Sequence, residues 1–66
     1  MALKWFEIYT DEVIKTQGLY YKIDHFSDDS TMMTVSIYDE NADPQETYCG
    51  AFLVREIEEP DEAKEG

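Results

Sequence analysis

From Thr31 to Asp39 the chain reads TMMTVSIYD, and apolar Met33, Val35 and Ile37 alternate with Thr34, Ser36 and Tyr38. A period of two, rich in β-branched residues, predicts a half-buried strand. The stretch LYYKIDHF at 19–26 alternates in the same way, with Leu19, Tyr21 and Ile23 on one face and Tyr20, Lys22 and Asp24 on the other. A third strand is expected over TYCGAFLVREI, 47–57, with Tyr48, Phe52 and Val54 facing one way and Cys49, Ala51, Leu53 and Arg55 the other. Gly50 inside it marks a bulge or a close backbone approach.

The connectors suit a meander. SDDS at 27–30 is a short turn-forming stretch, and DENADPQE at 39–46 is a longer loop in which Pro44 bars a continuous strand. Antiparallel neighbours need only such links. Keeping the apolar sets on one face sets Tyr21 opposite Ile37, Ile23 opposite Val35, and Ile37 roughly opposite Tyr48.

The first 18 residues read two ways. LKWFEIYT is apolar on both strand faces (Leu3, Trp5 and Tyr9; Phe6 and Ile8), which fits a central strand or a helix laid across the sheet. Thr10 or Asp11 as a cap and Gly18 as a stop permit one or two helical turns over 10–18. Some element has to cover the meander, because a bare three-stranded sheet is marginal. The expected fold is therefore α+β or mainly β. It is a small antiparallel meander of three to four strands over 1–57, with at most one short helix near the N-terminus. A disordered acidic tail, 58–66, is expected to follow, where periodicity is lost and Pro60 and Gly66 punctuate a charged run.

Charge changes the picture more than length does. Sixteen acids against five bases give −11 over 66 residues, yet aromatics make up 14 %. Disordered acidic chains are poor in aromatics, so most of this one is expected to fold. Residues 1–26 carry four acids and three bases (−1), whereas 27–66 carry twelve acids and two bases (−10). Removing 56–66 still leaves −6, so the tail alone does not account for the excess. Nucleic acid and anionic membranes are poor partners for such a surface, and a basic protein surface is a good one.

Folded as a meander, the acids gather at two poles. Asp28, Asp29, Asp24, Glu56, Glu58 and Glu59 are expected at one, and Asp39, Glu40, Asp43 and Glu46 at the other, joined there by Asp11 and Glu12 if 10–18 turns back. A strand of about eight residues would part them by roughly 25 Å. Carboxylates spaced like this can engage the lysines and arginines that otherwise meet phosphates. Tyr20 and Tyr38, with Tyr9, are candidate interface anchors. Against this stands the plain alternative that turn acids serve turn chemistry and an acidic tail serves solubility.

Catalytic chemistry finds little support. His25 and Cys49 are expected on opposite faces, about 14 Å apart by strand geometry, where a nucleophile and its base need about 3 Å. DENADPQE starts like a calcium loop, with Asp39, Asn41 and Asp43 at alternate positions, but Pro44 stands where glycine is needed and Gly50 where glutamate is. Phosphate-loop, paired-cysteine and GxSxG patterns are missing from the sequence. No catalytic residue, cofactor or metal is expected. The single cysteine and the lack of a leader-like start or a long apolar run point to the cytoplasm, that of a host cell if the chain is phage-encoded.

In kind (small, acidic, aromatic-rich, non-catalytic) the chain is similar to phage-borne inhibitors that imitate DNA, such as anti-CRISPR and anti-restriction proteins. That resemblance carries no motif and assigns no residue. The charge concentrated in 27–66 gives the expectation of an inhibitor whose partner is a basic nucleic-acid-binding protein, such as a host defence nuclease or polymerase, and the chain is expected to be a monomer or, where an exposed edge strand permits it, a homodimer. The alternative expectation is a small protein–protein interaction module or subunit whose acidity serves only solubility.

Overall fold

A computed structural model describes residues 3–61, and the chain is mainly β. Six strands run in order: β1 (Lys4–Tyr9), β2 (Val13–Gly18), β3 (Tyr20–Phe26), β4 (Met33–Tyr38), β5 (Pro44–Ala51) and β6 (Leu53–Ile57). They form two antiparallel three-stranded sheets: sheet A in the order β2-β1-β6, and sheet B in the order β3-β4-β5. The open choice over 3–18 resolves as a central strand, a turn at 10–12 and a second strand. β1 is apolar on both faces because Phe6 and Ile8 face the core while Trp5 and Tyr9 lie on the outer side.

One residue separates β2 from β3, and one separates β5 from β6. Each pair is thus a long strand that bends and passes from one sheet to the other, at Leu19 and at Phe52. The corners are tied by backbone bonds: Leu19 N–H donates to Tyr38 O at 3.0 Å, and Phe52 N–H to Tyr9 O at 2.9 Å. Gly18 allows the first corner, because a Cβ there would overlap Ile37 Cγ2 and stand 3.2 Å from Tyr38 O. The pairings close a circuit from β1 through β2–β3 to β4 and back through β5–β6.

The core lies between the sheets. Phe6 and Ile8 from sheet A meet Met33, Val35, Ile37 and Ala51 from sheet B, with Ile14, Tyr21, Tyr48 and Val54 packed around them. Phe6 and Tyr21 meet edge to face, ring centroids 5.5 Å apart. Sheet A is thus the cover that the meander of sheet B requires.

Register agrees with expectation between β3 and β4, where Tyr21 pairs Ile37 and Ile23 pairs Val35. Across β4 and β5 it differs: Ile37 pairs Glu46, and Tyr48 stands opposite Val35. The reason is an earlier start, since β5 begins at Pro44, a position where proline costs no ladder bond, and the register shifts once before Glu46. A second shift skips Gly50, whose φ is 80°. This is the expected bulge, and it reverses the parity of Ala51 and Phe52, after which the corner at Phe52 restores the expected parity in β6. Phe52 therefore points outward, while Tyr48, Ala51 and Val54 face the core. Of the expected tail, 58–60 take no regular structure, and 62–66 lie outside the described residues.

Candidate functional site: the acidic ends

Each hairpin of sheet B ends in an acid-rich turn built by its own carboxylates. In the β3–β4 turn, Asp29 Oδ1 accepts from Ser27 Oγ at 2.6 Å, Thr31 Oγ1 at 2.8 Å and Thr31 N–H at 3.1 Å. Ser27 Oγ in turn accepts from Met32 N–H. These bonds favour the charged form and hold the Asp29 carboxyl down at about 2. In the β4–β5 turn, Asp39 Oδ1 accepts from Asn41 N–H at 2.9 Å and Asp43 N–H at 3.0 Å. Asp29 and Asp39 thus do turn work. Asp28, Glu40 and Asp43 do not: among the described residues their carboxylates hold no hydrogen bond or ion pair.

The two turns lie at opposite ends of β4, a strand of six residues, which sets them about 20 Å apart rather than 25 Å. Two of the expected groupings exchange ends. β6 runs away from the Phe52 corner and pairs Ile57 with Trp5, so Glu56 falls beside Lys4, at 3.8 Å. Glu58 and Glu59 continue past that end, the end of Gly18, Leu19 and Tyr38 from which the Asp39–Asp43 turn departs. Asp11 and Glu12, in the β1–β2 turn, follow Tyr9, which Phe52 ties to the corner beyond Ala51 and its partner Met33. They belong with Asp28 and Asp29. The expected placement of the β6 acids fails because the corner at Phe52 sends β6 into sheet A, where a simple meander would continue in sheet B.

Asp24 sits between the ends. The register shifts past it, and it accepts hydrogen bonds from Ser36 Oγ and, at 3.4 Å, from Tyr38 Oη. Ser36 also shares a 3.2 Å bond with Thr47, so Asp24 helps tie all three strands of sheet B. Glu46 accepts from Tyr48 Oη. Tyr20 and Tyr38 face each other across β3 and β4, and Lys22 Nζ lies 5.7 Å from the Tyr38 ring centroid.

The bulge at Asp24 also moves His25. It pairs Thr34, and Thr34 pairs Cys49, so all three stand in one row on the outer face of sheet B. The expected opposite faces are corrected, and the Cα separation of His25 and Cys49 is about 10 Å, two strand spacings. Thr34 still stands between them. Among the described residues no group of three His, Cys, Asp or Glu side chains is placed to hold a metal ion.

Two features of the structure have no counterpart among the sequence expectations. A shallow cleft of about 310 Å³ is lined by Leu3, Leu19, Asp39, Glu40 and Gln45. Its members come together only through the Leu19 corner, which alternation does not reveal. The other feature is a network on the outer face of sheet A. Glu7, though on the outer side, is only 9 % exposed. Its Oε1 accepts from Tyr9 Oη at 2.5 Å and from Arg55 Nε at 2.9 Å, and Arg55 Nη2 lies 2.8 Å away. The Tyr9 bond and then the Arg55 bond pull the Glu7 carboxyl below its ordinary value, and the same bond to Glu7 pushes the Tyr9 hydroxyl up. The opposite parity of Trp5, Glu7 and Tyr9 to Phe6 and Ile8 was the available signal.

Among the described residues no helix is long and apolar enough to cross a membrane. Neither a family model, nor a curated protein, nor a solved structure matches this chain.

Proposed function

We propose that the protein is a stoichiometric, non-enzymatic inhibitor acting in the cytoplasm. It places the carboxylates of its two ends against the cationic surface of a nucleic-acid-binding protein and so denies that surface to DNA or RNA. The observation that carries this reading is the set of uncommitted acids. The carboxylates of Asp28 at one end, and of Glu40, Asp43, Glu58 and Glu59 at the other, have no hydrogen bond or ion pair among the described residues. Turn chemistry accounts for Asp29 and Asp39, and strand ties account for Asp24 and Glu46, but neither accounts for these five.

Physically, the partner's lysines and arginines exchange phosphate for carboxylate. Arginine forks pair with either, and the long-range field of a chain at −11 accelerates encounter. The ends of a rigid six-residue strand hold the two acidic groups about 20 Å apart, close to the diameter of a duplex.

The test is a triple reversal, Asp28→Lys, Glu40→Lys and Asp43→Lys, which spares the turn-building Asp29 and Asp39. Binding to a basic nucleic-acid-binding partner should fall steeply and lose most of its salt dependence. Unchanged binding by a folded triple variant would overturn the reading.

A second reading has its own observation. The outer face of sheet A carries Trp5, Tyr9 and Arg55, residue types common at interface hot spots. An interaction module using that face would bind with little dependence on salt.

A further inference from the structure

We propose that the cleft of about 310 Å³ beside the Leu19 corner is a socket for one arginine side chain of a partner protein. The inference rests on the reading of the acidic ends as a surface for a cationic protein, and it names the group that one of those ends takes. Leu3 and Leu19 give the cleft an apolar lining, and Asp39, Glu40 and Gln45 give it a polar one.

The fold holds these residues in place. Leu19 N–H donates to Tyr38 O, and the turn that carries Asp39 and Glu40 starts directly after Tyr38. Asp39 Oδ1 accepts from the N–H groups of Asn41 and Asp43, which fixes its carboxylate, while Oδ2 has no hydrogen bond among the described residues. Gln45 arrives through an irregularity of β5. Ile37 pairs Glu46 and Tyr38 pairs Pro44, so Gln45 is the extra residue of a bulge, and a bulge re-aims the side chain that it carries.

Charge and polarity together select the occupant. No base lines the cleft, and Lys4, the residue after Leu3, lies 3.8 Å from Glu56. An anion is repelled here. A purely aliphatic group would desolvate carboxylates without offering them a donor. Among the described residues no group of three His, Cys, Asp or Glu side chains is placed to hold a metal ion. A long cationic side chain matches both linings, because its stem covers leucine while its head meets the acids. Arginine suits them better than lysine. Its guanidinium is less strongly hydrated, its planar fork bonds two carboxylate oxygens at once, and further N–H groups are left for the Gln45 amide oxygen.

Size limits what enters. The volume lies at the lower end of ligand-binding clefts, roughly 300 Å³, so it takes a single side chain rather than a helix or strand. Arginine is also a frequent hot-spot residue at interfaces. The socket would thus add one specific anchor to a surface that otherwise recruits by charge.

The test uses a blocked Gly-Arg-Gly tripeptide as probe, beside its lysine and citrulline counterparts. Each is titrated into the isotope-labelled full chain and followed by amide chemical shifts. The arginine peptide should shift Leu3, Leu19, Glu40 and Gln45 selectively and saturate in the millimolar range. The lysine peptide should bind about threefold or more weakly, and the neutral citrulline peptide about fivefold or more weakly. Glu40→Gln and Leu3→Ser, both at exposed positions, should each weaken the arginine peptide by about threefold or more, with the rest of the spectrum unchanged. Shifts spread equally over the Asp28 end, equal binding of the arginine and lysine peptides, or no saturable binding would each overturn the proposal. The two readings fail separately. If the Asp28, Glu40 and Asp43 triple-lysine variant loses a basic partner but the tripeptide does not bind, the socket is lost and the inhibitor reading stands. If the tripeptide binds as described but no partner is displaced by DNA, the inhibitor reading is lost and an arginine-binding cleft stands.

Discussion

Tyr20 and Tyr38, opposite one another on β3 and β4, stack with ring planes 3° apart and centroids 5.1 Å apart. One side of each ring is therefore committed within the protein, and Tyr38 is further engaged by Lys22 and Asp24. Such a cross-strand pair is worth about 0.5–1.5 kcal/mol beyond its buried area. Tyr20→Ala should lower stability by about that much or somewhat more, measured by urea unfolding. If the acids carry binding, the same variant, still folded, should keep most of its affinity for a cationic partner.

Ala42 closes the β4–β5 turn at a φ of 62°, in the left-handed region. Its N–H donates to Asp39 O, and Asp39 N–H donates to Asp43 O, so the conformation is enforced by the hairpin. A residue with a Cβ costs about 1–2 kcal/mol there, part of which glycine loses again through unfolded-state freedom. Ala42→Gly should raise stability by about 0.5–1 kcal/mol, visible as a higher Tm.

Glycines 18 and 50 should answer differently to the same change. At Gly18 an added methyl meets Ile37 and the Tyr38 carbonyl, so Gly18→Ala overpacks the corner and should cost about 1–3 kcal/mol. At Gly50 nothing lies within 4 Å, but φ is 80°. Gly50→Ala should cost about 1–2 kcal/mol through backbone strain alone, and Gly50→Asn should cost less.

Asp29 provides a pH signature. Its folded value, about 2, lies below the ordinary 3.8. A depressed carboxyl contributes stability that is fully present above the unfolded value and is lost as pH falls through the folded one. Asp29→Asn should therefore melt below the unchanged protein at neutral pH, and the difference should close between about pH 4 and pH 2. Thermal melts across that range check it. A constant offset would mean that the turn does not depend on the ionised form.

β3 and β4 were legible because both alternate, whereas β5 was expected to start at Thr47 and to run on through Phe52. Met33, Val35 and Ile37 show their burial in their spacing, and Tyr21 and Ile23 fix the register against them. Gly50 was legible as a bulge because a glycine inside a strand seldom serves packing. What alternation cannot show is a strand that turns a corner. Leu19 and Phe52 each look like ordinary strand residues, yet the chain changes sheets at both. That single feature carried Glu56, Glu58 and Glu59 to the other acidic end and formed the cleft beside Leu3. His25 changed faces for a related reason, a bulge at Asp24 with no glycine to announce it. Which acids do turn work was also invisible, because Asp28 and Asp29 are the same residue type in adjacent positions. Only hydrogen-bond geometry tells them apart.

The most direct test of the central claim is competition with nucleic acid. The immobilised protein would be exposed to the heparin-retained fraction of a bacterial lysate, then washed with buffer or with excess duplex DNA, beside the Asp28, Glu40 and Asp43 triple-lysine variant. The account predicts a basic nucleic-acid-binding protein that duplex DNA releases and that the triple variant fails to hold. A partner that withstands duplex DNA and binds the triple variant equally well would contradict it.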